Sequence, residues 1–253
     1  MLSTMKSNLF KTAKFLASLL FWVVVWEVCA RLINHSYLLP TLAQTFSALW
    51  KIVTSGSFFS AVFLSIVRVL SGLVIGTLLA IILAALSYRF EVVKLLLSPL
   101  LSVVKATPIA SIIILLWIML NGDLLAIFIS VLMVLPIIWQ NLTDGYDSID
   151  KELFEVCQIF NFSYRKRLRV LIIPALIKYF IPALITSVGL AWKAVISAEI
   201  IAYVNNSIGQ FINDAKYNFD SPSVFAWTLI VIIFSLLLEK LTKYLLARCK
   251  KWV

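Results

Sequence analysis

The sequence EVCQIFNFSYRKRLRVLIIP, residues 155–174, is a polar and basic stretch between two long apolar blocks. Asp150 precedes it and is a suitable helix N-cap. Apolar side chains then recur at helical spacing, at Leu153, Val156, Cys157 and Phe160. The pattern predicts a short amphipathic helix whose apolar face needs a partner.

A second short helix is expected after a turn at Asn161. Helices commonly stop at a residue in the left-handed conformation, which asparagine tolerates best after glycine. Ser163 is placed to cap the next helix, which carries Leu168 and Ile172 and must break or kink near Pro174. The stretch therefore predicts a helix-turn-helix on a membrane surface. The alternative is an ordinary basic loop between two spans.

The composition is that of a membrane protein. Hydrophobic residues make up 62% of the 253 residues, more than the single core of a soluble domain of this length can bury. Six apolar blocks are close to the roughly 20 residues that a bilayer span needs, or reach that length with flanking residues. They run approximately from Phe15 to Ala30, Ser60 to Leu86, Leu95 to Leu120, Leu124 to Trp139, Ile177 to Ile201 and Val224 to Leu238. We predict an all-α polytopic membrane protein with about six transmembrane helices.

Basic residues predict the orientation of these spans. With a cytoplasmic N-terminus, the outer segments hold only Arg31, Lys51 and Lys216. The inner segments hold Lys6, Lys11, Lys14, Arg89, Lys94, Lys151, Arg165, Lys166, Arg167, Arg169, Lys178, Lys240, Lys243, Arg248, Lys250 and Lys251. Because cytoplasmic loops carry the excess of Lys and Arg, both termini are expected in the cytoplasm. The net charge of +10 then reflects topology and anionic lipid headgroups, and no nucleic acid partner is expected.

The first apolar block also has the lysine-rich flank of a secretory signal. Glu27 interrupts the end of that block, and no clear small-residue cleavage site follows. An uncleaved first span is therefore the expectation.

The stretch from Glu155 resembles the EAA loop by which membrane subunits of bacterial ABC importers engage their ATPase. In that family a Glu opens the motif, a Gly follows six residues later, and an aliphatic-aliphatic-Pro run closes it nineteen residues after the Glu. Glu155 and Pro174 keep this spacing, whereas Val156, Cys157 and Asn161 replace the two alanines and the glycine. The resemblance implies an ATPase-coupling role for Glu155, Val156, Cys157, Phe160, Asn161, Phe162 and Pro174.

Other stretches are similar to the nitrate, sulfonate and taurine branch of ABC permeases. They are SIVRVLSG (residues 65–72), KATP (residues 105–108) and AWKAVISAE (residues 191–199). The resemblance extends from about Leu39 to Lys251. It implies the type I ABC importer permease fold, with an N-terminal segment at 1–57, a permease core at 58–240 that contains the coupling loop 140–175, and a basic cytoplasmic tail at 241–253.

The resemblance also implies partners and a substrate class. The expected partners are a second permease subunit, ATPase subunits that bind the ATP, and an extracytoplasmic substrate-binding protein. The second permease is expected to be another copy of this chain, and a different permease is the alternative. No cofactor is expected on this chain, which lacks the G-x-x-x-x-G-K-[ST] phosphate loop. The expected solute is small and anionic, such as a sulfonate, nitrate or taurine. A pyrimidine vitamin precursor remains an alternative.

Ionisable residues inside the spans are candidates for the translocation pathway, because they are costly in a bilayer unless they face water or a partner. They are Lys105, Lys193 and Glu199, and Trp192 shares a helical face with Glu199. We expect these four residues to line the pathway. The alternative is that the lysines snorkel and that Glu199 forms a hydrogen bond between helices.

Small residues predict close helix packing. Gly72 and Gly76 form a small-xxx-small pattern in the second block. Ala191 and Ala198 lie on one stripe of the fifth block, together with Ser187 and Ala194.

Two other function classes fit the sequence less well than an importer. An ion-gradient-driven secondary transporter usually shows internal symmetry between halves, and no convincing repeat is present. A membrane-embedded enzyme needs a catalytic cluster, but His35 is the only histidine. Cys29, Cys157 and Cys249 lack metal-ligand spacing. No enzymatic activity and no metal are expected.

Overall fold

The computed structural model describes the backbone of residues 2–249 and the side chains of residue 14 and residues 17–247. The end of the predicted basic tail, 250–253, lies outside the described residues. In chain order the α-helices are α1 (Leu2–Ile33), α2 (Leu42–Val53), α3 (Gly56–Arg89), α4 (Glu91–Ala106), α5 (Ile109–Trp117), α6 (Gly122–Asp147), α7 (Lys151–Ile159), α8 (Tyr164–Arg167), α9 (Ile173–Ile201), α10 (Ile208–Tyr217) and α11 (Ser221–Cys249). A π-helical turn at Leu168–Ile172 joins α8 to α9.

The predicted all-helical membrane architecture is confirmed. Four helical segments within the described range are long and apolar enough to cross a membrane: Gly56–Arg89, Gly122–Asp147, Tyr164–Ile201 and Ser221–Ala247. The pair α4 and α5 makes a fifth if it counts as one broken span. The first predicted block, Phe15 to Ala30, lies within α1, some of whose side chains fall outside the described residues.

The third predicted block is bent rather than straight. The block from Leu95 to Leu120 divides into α4 and α5, whose axes differ in direction by 98°. Thr107 is extended at φ −77° and ψ 132°, because the ring of Pro108 disfavours helical geometry in the preceding residue. This proline therefore turns an apolar block of span length into a broken span or a re-entrant loop.

A buried cluster joins α5, α6 and α9. Its members are Ile113, Leu125, Ile129, Ala194, Ala198, Ala202 and Val204. Alanines supply the α9 side of this cluster, which lets the α9 backbone approach its neighbours closely. The cluster surrounds the C-terminal end of α9, where the charged residues described below also lie.

Contacts divide the chain into two units. One contains the residues up to Phe58 together with Phe211–Ile230, and the other contains Phe59–Gln210 and the chain from Val231 onward. Within the first unit, the Trp26 indole donates to the carbonyl of Pro40 at 3.0 Å. The rings of Phe211 and Trp227 stack in that same unit with centroids 5.4 Å apart.

Candidate functional site

The α7 helix begins and ends as its sequence predicts. The Asp150 carboxylate accepts a hydrogen bond from the Glu152 amide at 3.0 Å, which confirms Asp150 as the N-cap. Asn161 has φ 52°, in the left-handed region. The Asn161 amide donates to the carbonyl of Gln158 and the Phe162 amide to that of Cys157, each at 2.9 Å. This pair of bonds is the Schellman motif, and it confirms the predicted turn.

The two faces of α7 have different environments. Cys157 is buried, and the half-buried ring of Phe154 lies 6.0 Å from that of Tyr146. The opposite side exposes Glu155, Val156, Ile159 and Phe160, which we call the α7 outer face. Ile159 is 75% exposed and Phe160 is 69% exposed. Large apolar residues exposed together beside a charged residue are typical of a protein-binding surface.

The chain after α7 continues into α9 without a break. Ser163 precedes α8 but makes no capping hydrogen bond through its side chain, so that part of the prediction is wrong. Near Pro174, where a break or kink is predicted, the helical segment Tyr164–Ile201 is continuous and holds a π turn in place of a break. The Ile173 amide instead donates to the carbonyl of Leu168, five residues earlier, because the π turn rearranges the bonds around a proline that cannot donate one. Nearby, the Lys166 ammonium lies 3.8 Å from the centre of the Phe162 ring.

Glu199 lies inside the second unit with its charge fully partnered. Its side chain has 0% exposure. One carboxylate oxygen accepts from the Arg68 guanidinium at 3.0 Å. The other accepts from the Ser65 hydroxyl at 2.8 Å and the Gly209 amide at 3.3 Å. These bonds tie the C-terminal end of α9 to α3 and to the start of α10.

Arg68 extends this network to two further segments. Its guanidinium lies 2.7 Å from the carboxylate of Asp123 at the start of α6 and donates to the carbonyl of Asn205 at 3.2 Å. Arg68 and Asp123 are absent from the predicted site residues. The sequence does carry a signal for Arg68, because a charged residue lies there within the apolar block from Ser60 to Leu86. We call the connected residues Ser65, Arg68, Asp123, Glu199 and Gly209 the Arg68 network.

The four predicted pathway residues occupy different environments. Trp192 has 0% exposure, and its indole donates to the carbonyl of Val231 at 3.0 Å. Lys105 and Lys193 are exposed. The structure thus brings Trp192 and Glu199 into the interior and leaves both lysines on the outside, so an internal packing role is sufficient for the first two.

The predicted packing residues lie at close helix contacts. A Cβ on Gly72 would be 2.7 Å from the carbonyl oxygen of Ile127 and would overlap Ser130. A Cβ on Gly76 would be 3.2 Å from the Cα of Val131. These glycines let α3 approach α6 at backbone distance. Ala191 and Ala198 are fully buried on α9.

Known proteins show the same fold. A crystal structure described as an amino acid ABC transporter with histidines superposes with a TM-score of 0.63 at 17% identity, covering 76% of this chain and 94% of that one. SsuC of Bacillus subtilis (strain 168), assigned to the transport of aliphatic sulfonates, is 23% identical over 91% of this chain and 84% of its own length. ThiX of Halalkalibacterium halodurans, a formylaminopyrimidine transport permease, is 28% identical over 90% of this chain and 93% of its own length.

A third relative matches half of the chain. CmpB of Synechococcus elongatus, a bicarbonate transport system permease, is 30% identical over 51% of this chain and 45% of its own length. All three relatives are transport permeases rather than enzymes, in agreement with the sequence prediction. The profile of the family described as binding-protein-dependent transport system inner membrane component matches residues 72–251. The chain belongs to this family, and it is a multi-pass inner membrane permease of an ABC importer.

Proposed function

We propose that this chain pairs with a second copy of itself to form the translocation pathway of an ATP-driven importer for a small anionic solute. ATPase subunits bind the cytoplasmic side, and an extracytoplasmic binding protein delivers the solute. Both termini lie in the cytoplasm. The family description, which names binding-protein-dependent transport, supports the binding protein as a partner.

The α7 outer face is the observation that carries the proposed ATPase coupling. It presents Val156, Ile159 and Phe160 to the exterior, although burial of such side chains is favourable by about 1.5–3 kcal/mol each. A partner that covers these residues recovers that free energy. Glu155 borders them and supplies a charge that sets the orientation of the partner.

One helical segment connects the turn after α7 to the Arg68 network, so movement of α7 can be transmitted along it. The left-handed turn at Asn161 is followed by the helical segment Tyr164–Ile201, which has 38 residues and includes Glu199 near its end. ATP-driven closure of the ATPase subunits moves α7, and this segment transmits the movement as the spans rock between inward and outward openings. The binding protein must prefer the outward form, because a ligand shifts only an equilibrium whose two states it binds differently.

Two observations support an anionic solute. Lys105 and Lys193 are exposed on segments apolar enough to lie in the membrane, where a charge is retained for a partner or for water. Among the relatives, SsuC and CmpB carry the names of anions, sulfonates and bicarbonate. Formylaminopyrimidine is the second candidate, because ThiX matches over 93% of its own length.

The coupling proposal is tested by charge reversal on α7. The tagged chain is extracted from its native membrane, and copurifying proteins are identified by mass spectrometry. An ATPase with a phosphate loop is expected with the parent chain and with Glu91→Lys, a control with the same charge change at the start of α4. Glu155→Lys is expected to reduce its recovery. Equal recovery with both variants contradicts the assignment of the α7 outer face.

Uptake into vesicles separates the importer from a gradient-driven transporter. Uptake is expected to require ATP on the cytoplasmic side together with the binding protein. Uptake that continues without ATP and follows an ion gradient contradicts the proposal and favours a secondary transporter.

A further inference from the structure

An apolar cavity of about 370 Å³ lies at one end of three membrane-spanning segments. It is lined by the C-terminal parts of α3 and α6 and by the chain from α8 to the first turns of α9. We call it the α3–α9 cavity. Among the described residues that line it, only Arg89, the last residue of α3, is charged, and the others are aliphatic or aromatic. A ligand that fits this cavity must therefore be largely apolar.

The cavity is open to the surroundings of the chain. Ile81 on α3 and Ile173 on α9 both line it, and they are 42% and 48% exposed. Along α3 the wall extends from Arg89 back to Ile81, about 12 Å at the helical rise. The apolar block of α3 ends at Leu86, about 5 Å before Arg89. The cavity therefore leads from the level of the lipid headgroups into the hydrocarbon region.

Arginines without acidic partners lie at the headgroup end of the cavity. Within the described part of the chain, Arg89 forms no ion pair, and its guanidinium lies 5.4 Å from the centre of the Phe90 ring. In that same part, the buried Nε of Arg167 has no hydrogen-bond acceptor. Arg167 follows the lining residue Tyr164 by three positions, so the two side chains are neighbours on the helix surface.

Arg167 is also close to the cavity from the side of α6. Its guanidinium is near enough to the Tyr146 hydroxyl to interact with it electrostatically. Tyr146 lines the cavity together with Tyr88, and their ring centres are 4.1 Å apart. Asp147, the acidic residue at the end of α6, pairs instead with Lys94 at 2.5 Å. Because a buried donor without an acceptor is destabilising, an acceptor from outside the chain would stabilise Arg167.

The π turn forms part of the cavity wall. Leu168 and Ile172, the first and last residues of this turn, both line the cavity. Such turns inside helices are frequent at functional sites. An occupant of the cavity therefore contacts the segment that joins α7 to α9.

We propose that the α3–α9 cavity binds one anionic phospholipid of the bilayer. An acyl chain lies against the apolar wall, and the lipid phosphate accepts hydrogen bonds from Arg89 and Arg167. Basic pockets between membrane helices bind anionic headgroups, and a guanidinium can donate two parallel bonds to one phosphate. With the termini in the cytoplasm, the lipid belongs to the cytoplasmic leaflet. The site requires only that the chain lies in a membrane, so it is independent of the proposed solute and of ATPase coupling.

Photocrosslinking tests the location of the lipid. The full chain is purified in detergent from its native membrane with the partners it retains, and a phosphatidylglycerol with a diazirine at the end of one acyl chain is added. After irradiation, labelled peptides are identified by mass spectrometry. Labelling is expected in the α3 segment 81–89 and in the α9 segment 173–180. Labelling that avoids both segments overturns the site.

Competition tests the chemistry of the ligand. Unlabelled phosphatidylglycerol is expected to prevent labelling at about tenfold lower concentration than phosphatidylcholine with the same acyl chains, because the ammonium of phosphatidylcholine offsets its phosphate. Glycerol 1-phosphate, which lacks acyl chains, is expected not to compete. Equal competition by the two lipids overturns the role of the arginines, and competition by glycerol 1-phosphate at lipid concentrations contradicts a lipid ligand.

Variants test the two ends of the site separately. Arg89→Gln and Arg167→Gln are each expected to reduce the preference for phosphatidylglycerol about fivefold. Lys178→Gln removes the same charge from an exposed residue of α9 outside the wall and is expected to leave the preference unchanged. Ala85→Phe is expected to abolish labelling, because Ala85 lines the cavity and is exposed, so a larger side chain fills the space without repacking the core.

Thermal unfolding without added lipid shows whether each variant is folded. Arg89 is exposed at the end of α3, so Arg89→Gln carries the test alone if Arg167→Gln lowers stability. An unchanged lipid preference in Arg89→Gln contradicts binding of the phosphate by this arginine. Unchanged labelling in Ala85→Phe contradicts an acyl chain in the cavity.

Discussion

The guanidinium of Arg68 lies 3.0 Å from the carboxylate of Glu199, and both side chains are buried. The pair connects α3 to the C-terminal end of α9 across 131 residues of sequence. Each charge makes the other tolerable in a span, because an unpaired buried charge is strongly destabilising.

Breaking the Arg68 and Glu199 pair is expected to destabilise the fold. Arg68→Gln leaves the Glu199 carboxylate buried without a charged partner, at a cost of about 3 kcal/mol. Glu199→Gln is expected to cost less, because Arg68 keeps its contact with Asp123. The double variant is expected to cost less than the sum of the single variants, because neither charge then remains. Denaturant unfolding in detergent measures the three values. Additive costs contradict a direct interaction.

Asp123→Asn is the matched control. The Asp123 carboxylate also binds Arg68 but is 69% exposed, so its loss is expected to cost less than about 1 kcal/mol.

Gly209 is expected to be intolerant of even one methyl group. A Cβ there would overlap the backbone and Cβ of Glu199, so Gly209→Ala must displace α9 or α10, at a cost of roughly 1–3 kcal/mol. Gly56 also lies in a helix but has nothing within 4 Å of its Cβ position. Gly56→Ala is therefore expected to be neutral or to stabilise by up to about 1 kcal/mol. Thermal unfolding of both variants in detergent gives the comparison, and equal effects contradict the close approach.

The turn at Asn161 is expected to tolerate glycine but not valine. Asn161 has φ 52°, which glycine adopts freely and a β-branched residue resists. Asn161→Gly should retain the ATPase in copurification, whereas Asn161→Val should lose it, because α7 then joins α8 at a different angle. Recovery of the ATPase with Asn161→Val would contradict the prediction that ATPase binding depends on the angle between α7 and α8.

Both termini are expected in the cytoplasm. Basic residues concentrate at the ends of the helices that this orientation places inside, as the positive-inside rule requires. A fluorescent reporter that folds only in the cytoplasm should be active when fused to the C-terminus and inactive when inserted after Thr54. An inactive reporter at the C-terminus and an active one after Thr54 would contradict this orientation and show that the C-terminus lies outside.

Local chemistry explains what the sequence predicted correctly. The turn at Asn161 and the cap at Asp150 depend on single residues and their nearest neighbours, and both are present. Helix location follows from apolar composition in the same way. Proline is less informative: Pro99, Pro136 and Pro182 lie inside helices, whereas Pro108 separates two of them. The tertiary environment of each proline determines whether the helix continues through it, and the neighbouring residues in the sequence do not reveal that environment.

The candidate site required the three-dimensional arrangement. Trp192 and Lys193 are neighbours in the sequence, but one is buried and the other exposed, because a helix turns about 100° per residue. Arg68 and Glu199 meet only after α3 and α9 have packed.

The π turn at Leu168–Ile172 has a consequence for how α7 is aimed. Such a turn accommodates one more residue than an α-helical turn, so everything before it is rotated by about 100° around the axis of α9 compared with an uninterrupted helix. The direction in which the proposed ATPase-facing surface points therefore depends on the number of residues in the π turn. Deleting a single residue there would redirect that surface to another side of the subunit without altering any residue that touches the partner.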